Sequence, residues 1–394
     1  MNRFRKEPIL ELAVITVHSP QSPLTTLNFL KKIGIYRFLP DNNDSVEELK
    51  KKGYSKDFIE FWKEAQNATL SGQREGLRSF FEEKFSELKT SLDMLDFRVQ
   101  KYFIIMNVAV LVVPILLSVT SIFTGTIDPL SLIMIVLCTV PLALAPPLII
   151  PREMRLESPR PLVFLPLLLS LPLYLYFKEI LVLIGASVIS MVLTYIEEKR
   201  KIKEIIESGE ILRRATQSSN IKFIGVTDPE QLLVKRVCGF VKALLVALYI
   251  QLAYMRSRDY FKATSKLMSI FREYLAALSK LRERALGNFV TGLIIVAVAA
   301  ASFAFVYHTL NKVSSIGAHI PSYYGVRVLS RSELLALKEF FVELLITMSF
   351  SFSLISTTRE GNPLYFAIYF APLLALSYTV FEVALQVAPL WLKL

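Results

Sequence analysis

The chain has 394 residues, 53% of them apolar and 20% charged, with 27 Phe and 16 Tyr beside only 14 Gly and a mean hydropathy of +0.46. Soluble domains average about 45–50% apolar and about 25% charged residues, so the apolar excess belongs in a bilayer. That excludes a soluble enzyme, a disordered scaffold and a disulfide-stapled secreted domain, and the formal charge of +11 has to be read from its distribution. The two cysteines, Cys138 and Cys238, are far apart, and Cys138 sits inside an apolar run, so neither suggests a disulfide framework or a thiolate metal site.

Seven stretches are expected to span the membrane on length and apolarity: 102–124, 130–150, 162–177, 180–196, 288–310, 335–356 and 364–390. The third and fourth are short, and the link Phe177-Lys178-Glu179 reads as the turn of a helical hairpin. The start MNRFRKEPILEL has no cleavable apolar core, so the amino-terminal region is expected to stay on its side of synthesis. Of the 45 Lys and Arg, 17 fall in 1–101, 3 in 151–160 and 18 in 197–287, while the alternate loops 125–129, 178–179 and 311–332 hold none, one and three. Cytoplasmic loops collect Lys and Arg, which predicts a multi-pass protein of the cytoplasmic membrane with its amino terminus inside and carboxy terminus outside. The expected organisation is a cytoplasmic helical bundle at 1–101, four spans at 102–196, a second bundle at 197–287 and three spans at 288–394.

Both cytoplasmic blocks read as helical. In 77–99, Leu77, Phe80, Phe81, Phe85, Leu88, Leu92, Leu95 and Val99 recur at three- and four-residue steps, with Glu82, Glu83, Lys84, Lys89 and Arg98 on most of the other face. Leu267, Ile270, Phe271, Tyr274, Leu275, Leu278 and Leu281 repeat the pattern. Helix breaks are expected at Ser19-Pro20 to Ser22-Pro23, Pro40 to Asn43, Ser71-Gly72 and Thr227-Asp228-Pro229. Residues 243–254 are apolar but short of the roughly 20 needed to span, so a bundle-core helix is expected there.

Sliding the sequence on itself by 186 residues aligns 85–112 with 271–298, with eight of 28 positions identical: Phe85/Phe271, Glu87/Glu273, Leu92/Leu278, Leu95/Leu281, Arg98/Arg284, Phe103/Phe289, Val110/Val296 and Val112/Val298. In each copy a charged amphipathic helix runs without a break into an apolar span. The layout resembles the polytopic platform proteins of type II secretion systems, type IV pili and archaella, whose type II secretion F domain is a cytoplasmic helical bundle leading into the membrane and usually occurs twice. ILELAVITVHSPQSPLTTLNFL is similar to the family's opening helix pair. FFEEKFSELKTSLDMLDFRVQKYFIIMNVAVLVVPILLSV resembles its last helix entering a proline-bearing span, here with Pro114. RDYFKATSKLMSIFREYLAALSKLRERALGNF resembles the same element in a second copy, and three following spans with the turn Arg359-Glu360-Gly361-Asn362-Pro363 fit the archaeal branch. The family's usual Gly is Ser or Pro near 19–23 and missing near Arg258.

The resemblance implies an all-α polytopic membrane protein with two duplicated cytoplasmic bundles. It implies no enzymatic activity and no cofactor. Its expected partners are a hexameric secretion or pilus-assembly ATPase, pilin-like subunits, membrane lipids and a second copy of the chain in a dimer. Motif absences agree in kind. No Gly-x-x-x-x-Gly-Lys-Ser/Thr cradles phosphates, all eight Asp fall outside the expected spans, and His18, His308 and His319 show no metal-ligand spacing. Nucleic acid is not expected, since no recognised binding fold is present.

The second block carries 18 basic against 10 acidic residues, the first 17 against 15, so an acidic partner surface would be steered to the second. Its docking candidates are Arg256, Arg258, Lys262, Lys266, Lys280, Arg282 and Arg284. The competing reading of the basic clusters here and at Glu197-Glu198-Lys199-Arg200-Lys201 is anchoring to anionic headgroups. Glu343 and Glu382 lie within expected spans, which opens an alternative of a different class, a secondary transporter or channel. Structural pairing within the bundle is the plainer expectation for both.

Overall fold

The structure is a computed structural model that describes residues 7–42, 44–108, 129–235, 237–255, 257–317 and 330–391. Those residues form α1 (Ile9–His18), α2 (Pro23–Lys32), α3 (Val46–Lys52), α4 (Lys56–Ser71), α5 (Glu75–Asn107), α6 (Pro129–Ile149), α7 (Leu165–Phe177), α8 (Ile180–Ala215), α9 (Ile221–Ile224), α10 (Gln231–Val234), α11 (Gly239–Tyr254), α12 (Ser257–Gly317), α13 (Arg331–Ser356) and α14 (Ala367–Trp391). Short 3-10 turns stand between them, and there is no strand among the described residues.

The local chemistry of the helix ends is visible in the chain. Ser22 caps α2 by accepting from Thr25 N at 3.3 Å, with Pro23 in the first turn where its missing N–H costs nothing. Ser45 and Glu48 form a reciprocal capping box on α3, and Ser330 and Glu333 form another on α13. Gly72 ends α4 at φ 72°, a left-handed conformation that a side chain resists.

The chain divides into two compact units. The first combines residues 1–92 with 200–279, and the second combines 93–199 with 280–394. The two blocks read from sequence as separate bundles therefore share one unit. Its centre is α11, sixteen residues long and buried on nearly every side, against which α1 packs. The whole apolar face of α5 expected from periodicity, Leu77 to Val99, is buried. Within the first unit Phe81, Phe85, Phe240 and Tyr274 form a run of ring contacts at 5.7, 5.9 and 5.1 Å, which ties the first block to the second. Each fully buried aromatic or aliphatic side chain contributes about 1.5–3 kcal/mol, and this ladder repeats that term several times. Lys89 and Glu273 pair at the surface of the same unit.

In the second unit α13 packs against α6 and α14. Leu167, Tyr174, Ile180 and Leu183 of the α7–α8 hairpin close on Ala367, Phe370 and Leu374. The hairpin turns at Lys178, the one described non-glycine residue at positive φ (57°). Phe303 stacks on Phe341 at 4.9 Å. Among the described residues four helices, Ile180–Ala215, Asp259–Ser315, Arg331–Arg359 and Ala367–Pro389, are long and apolar enough to cross a membrane. Of the other expected spans, 162–177 is a shorter apolar helix, 130–150 coincides with α6, and most of 102–124 lies outside the described residues.

Candidate functional site

The expected docking residues occupy different settings. Arg256 and the side chain of Arg258 lie outside the described residues. Lys262 and Lys266 are exposed one turn apart on α12, in the first unit. In the second unit Lys280 is exposed and donates to Asp93 at 2.7 Å, a hydrogen bond that holds the Asp93 carboxyl below its ordinary value. Arg284 is half-buried, whereas Nε and Nη2 of Arg282 are fully buried. Helix geometry explains the split. Residues two apart point to opposite sides of a helix and residues four apart share a side, so Lys280 and Arg284 face one way and Arg282 faces the other. Lys262 and Lys266 are thus exposed in the first unit, while in the second the buried edge of Arg282 turns away from the side that carries Lys280 and Arg284.

The two glutamates of the expected spans each have a basic partner. Lys178 Nζ lies 3.1 Å from Glu343 Oε1, and Lys338 Nζ lies 3.2 Å from Glu382 Oε1. These pairs join the hairpin turn to α13 and α13 to α14, the arrangement of structural pairing rather than a pair of open carboxylates. The charged run after residue 196 is not uniformly a headgroup anchor. Lys199 lies over the Tyr195 ring at 4.7 Å, but Glu197 is 3.5 Å from Arg160 and Glu198 is buried.

Glu11 on α1 accepts from Tyr36 Oη at 2.9 Å. Its carboxylate sits so close to Gly239, the first residue of α11, that a Cβ there would overlap it. A negative charge at a helix amino terminus meets both the exposed N–H groups and the positive end of the dipole. His18, half-buried with its ring against the Phe81 ring edge, is pushed down to about 4 by desolvation first and then by Lys266, Arg78 and Arg74, so it is neutral at physiological pH. Among the described residues no group of three or more His, Cys, Asp or Glu converges to hold a metal ion.

The turn that joins α13 to α14 is built into the unit by backbone and side-chain bonds. Leu156 N donates to Glu360 O at 2.8 Å, and Asn362 Nδ2 donates to Leu156 O and Ser158 Oγ at 3.3 and 3.1 Å. Gly361 takes φ 67°, with Arg155 and Ile150 against the place a side chain would need. The polar turn expected at 359–363 is thus a packed element. Its charged residues, Arg359 and Glu360, are the ones that spacing alone could not place. Comparison of the chain with protein-family models, with curated proteins and with solved structures finds no match to any of them.

Proposed function

We propose that this chain is a non-enzymatic platform of the cytoplasmic membrane that assembles a type IV pilus-like filament or a type II secretion-like machine. In this reading it has seven spans, with the amino terminus inside, and its two cytoplasmic blocks are copies of one F-type domain. A hexameric secretion ATPase docks on the cytoplasmic surface, pilin-like subunits pass between the spans, anionic lipids hold the basic helix ends, and the chain works as a dimer.

The observation that carries the reading is the single helix α12 of 61 residues. Its first part, through Ser279, presents a buried face within the first unit, and the rest carries a stretch apolar enough to cross a membrane. Helices α5 and α8 likewise contribute to both units. An unbroken helix passes a push or twist along its axis, whereas a flexible linker dissipates it, which is what a motor-driven platform requires. The Lys178–Glu343 and Lys338–Glu382 pairs favour the platform over the transporter, since each glutamate already has a basic partner.

Reversing the exposed pair Lys262 and Lys266 to Glu tests the docking. The variant should insert and purify normally yet lose co-purification of the cognate ATPase, most clearly at low salt where steering is strong. Undiminished co-purification removes this face from the mechanism.

A further inference from the structure

The α13–α14 turn buries charge that its surroundings do not satisfy. Arg359 Nη2 lies 3.3 Å from Glu198 Oε1 on α8, and Arg359 Nε lies 3.6 Å from Glu360 Oε1. The Tyr369 hydroxyl donates to Glu360 Oε1 at 2.8 Å. Glu198 and Glu360 are each 1% exposed. Three of their oxygens, both of Glu198 and Oε2 of Glu360, are buried without a hydrogen-bond donor. Arg282 on α12 is the other nearby cation, and its field reaches Glu360, but its buried Nε and Nη2 make no hydrogen bond either. Around this group stand Glu197, 3.5 Å from Arg160, and Tyr365, whose hydroxyl donates to Glu157 O.

Two ionised carboxylates offer about eight acceptor sites, and here one guanidinium at long range and one phenol serve them. Leaving buried carboxylate oxygens undonated is costly, and two buried carboxylates sharing a cation repel each other. A proton on one of them removes a charge and at the same time supplies the missing donor to the other. We propose that Glu360 carries a proton beside the Glu198 carboxylate, which makes this buried corner of the second unit a proton-binding site. The electrostatics point the same way. Burial first, and the Glu198 carboxylate second, push Glu360 up to about 8 against the opposing pull of Arg359, Tyr369 and Arg282. Deprotonation leaves a second negative charge that the undonated guanidinium of Arg282 is placed to neutralise, so the proton's presence biases how α12 seats against α8 and the turn. The inference does not rest on the platform reading, because it follows from the corner's own chemistry whatever the chain assembles or carries.

The test is infrared difference spectroscopy on the purified full chain in lipid nanodiscs, following the protonated-carboxyl C=O band. The wild type should show this band at neutral pH and lose it as pH rises through about 8. Glu360→Gln keeps an acceptor for Tyr369 and should abolish the band. Glu198→Gln removes the repelling charge and should move the midpoint to lower pH or abolish the band. Arg282→Gln should move it higher. If Glu360→Gln does not insert, the wild-type and Glu198→Gln titrations decide alone. A wild type with no such band at neutral pH, or a band that neither glutamate variant alters, overturns the proposal.

Discussion

Replacing Phe240 by Ala tests whether the two sequence blocks form one cooperative unit. The ring is fully buried and lies 5.9 Å from Phe85 of the first block and 5.1 Å from Tyr274 of the second. Truncating a buried Phe costs about 3–5 kcal/mol, of which the two ring pairs account for about 0.5–1.5 each. In a unit of roughly 150–250 residues each kcal/mol moves Tm by about 2–4 °C, so a fall on the order of 10 °C is expected. The assay uses the buried Trp62, which belongs to the first block, as a fluorescent reporter in a Trp391→Phe background that leaves it as the only tryptophan. The Trp62 transition should fall with the transition followed by circular dichroism, although the substitution lies in the other block. An unmoved Trp62 transition beside a lowered dichroism transition would refute the single unit and restore two independent bundles.

Gly239→Ala drives a methyl group into the Glu11 carboxylate at the start of α11 and should cost about 1–3 kcal/mol, read as a lower Tm of the full chain. His18 is held near 4 in the folded chain against an ordinary 6.5, so the folded state binds fewer protons than the unfolded state between those values. Its share of stability is complete above about pH 6.5 and is lost as pH falls toward 4, by about 3 kcal/mol in all; His18→Gln should flatten that part of the stability profile. For topology, single cysteines placed at Ser218 and Ser322 in a cysteine-free background should be protected and accessible, respectively, to a reagent applied from outside the cell. The opposite labelling pattern would invert the proposed orientation.

Much of the fold was legible because it rests on local periodicity. The eight apolar positions from Leu77 to Val99 are all buried, since a 3.6-residue repeat fixes which side of a helix meets the core. The short apolar stretch ending at Tyr254 is a protein-buried helix because sixteen residues rise only about 24 Å. Residue spacing also held the clue to Arg282, whose even-numbered neighbours Lys280 and Arg284 lie on the other side of α12. What sequence could not supply is tertiary partnership. Glu198 read as part of a basic cluster that anchors to anionic headgroups and Glu360 as part of a polar turn, and only packing of α8 against the α13–α14 connection brings both onto Arg359. The joining of the two blocks was likewise hidden, because the face of α1 and the face of α11 are each apolar on their own and nothing in either names the other.

The central claim is that this chain is the membrane platform of a filament or secretion machine. The most direct measurement is electron microscopy of the native cells, counting surface filaments after deletion of the chain and after its restoration. The account predicts that filaments disappear on deletion, return with the wild-type chain, and do not return with the Lys262→Glu, Lys266→Glu variant. Filaments that persist unchanged in the deleted cells, together with a loss of solute uptake, would contradict it and favour transport through the second unit.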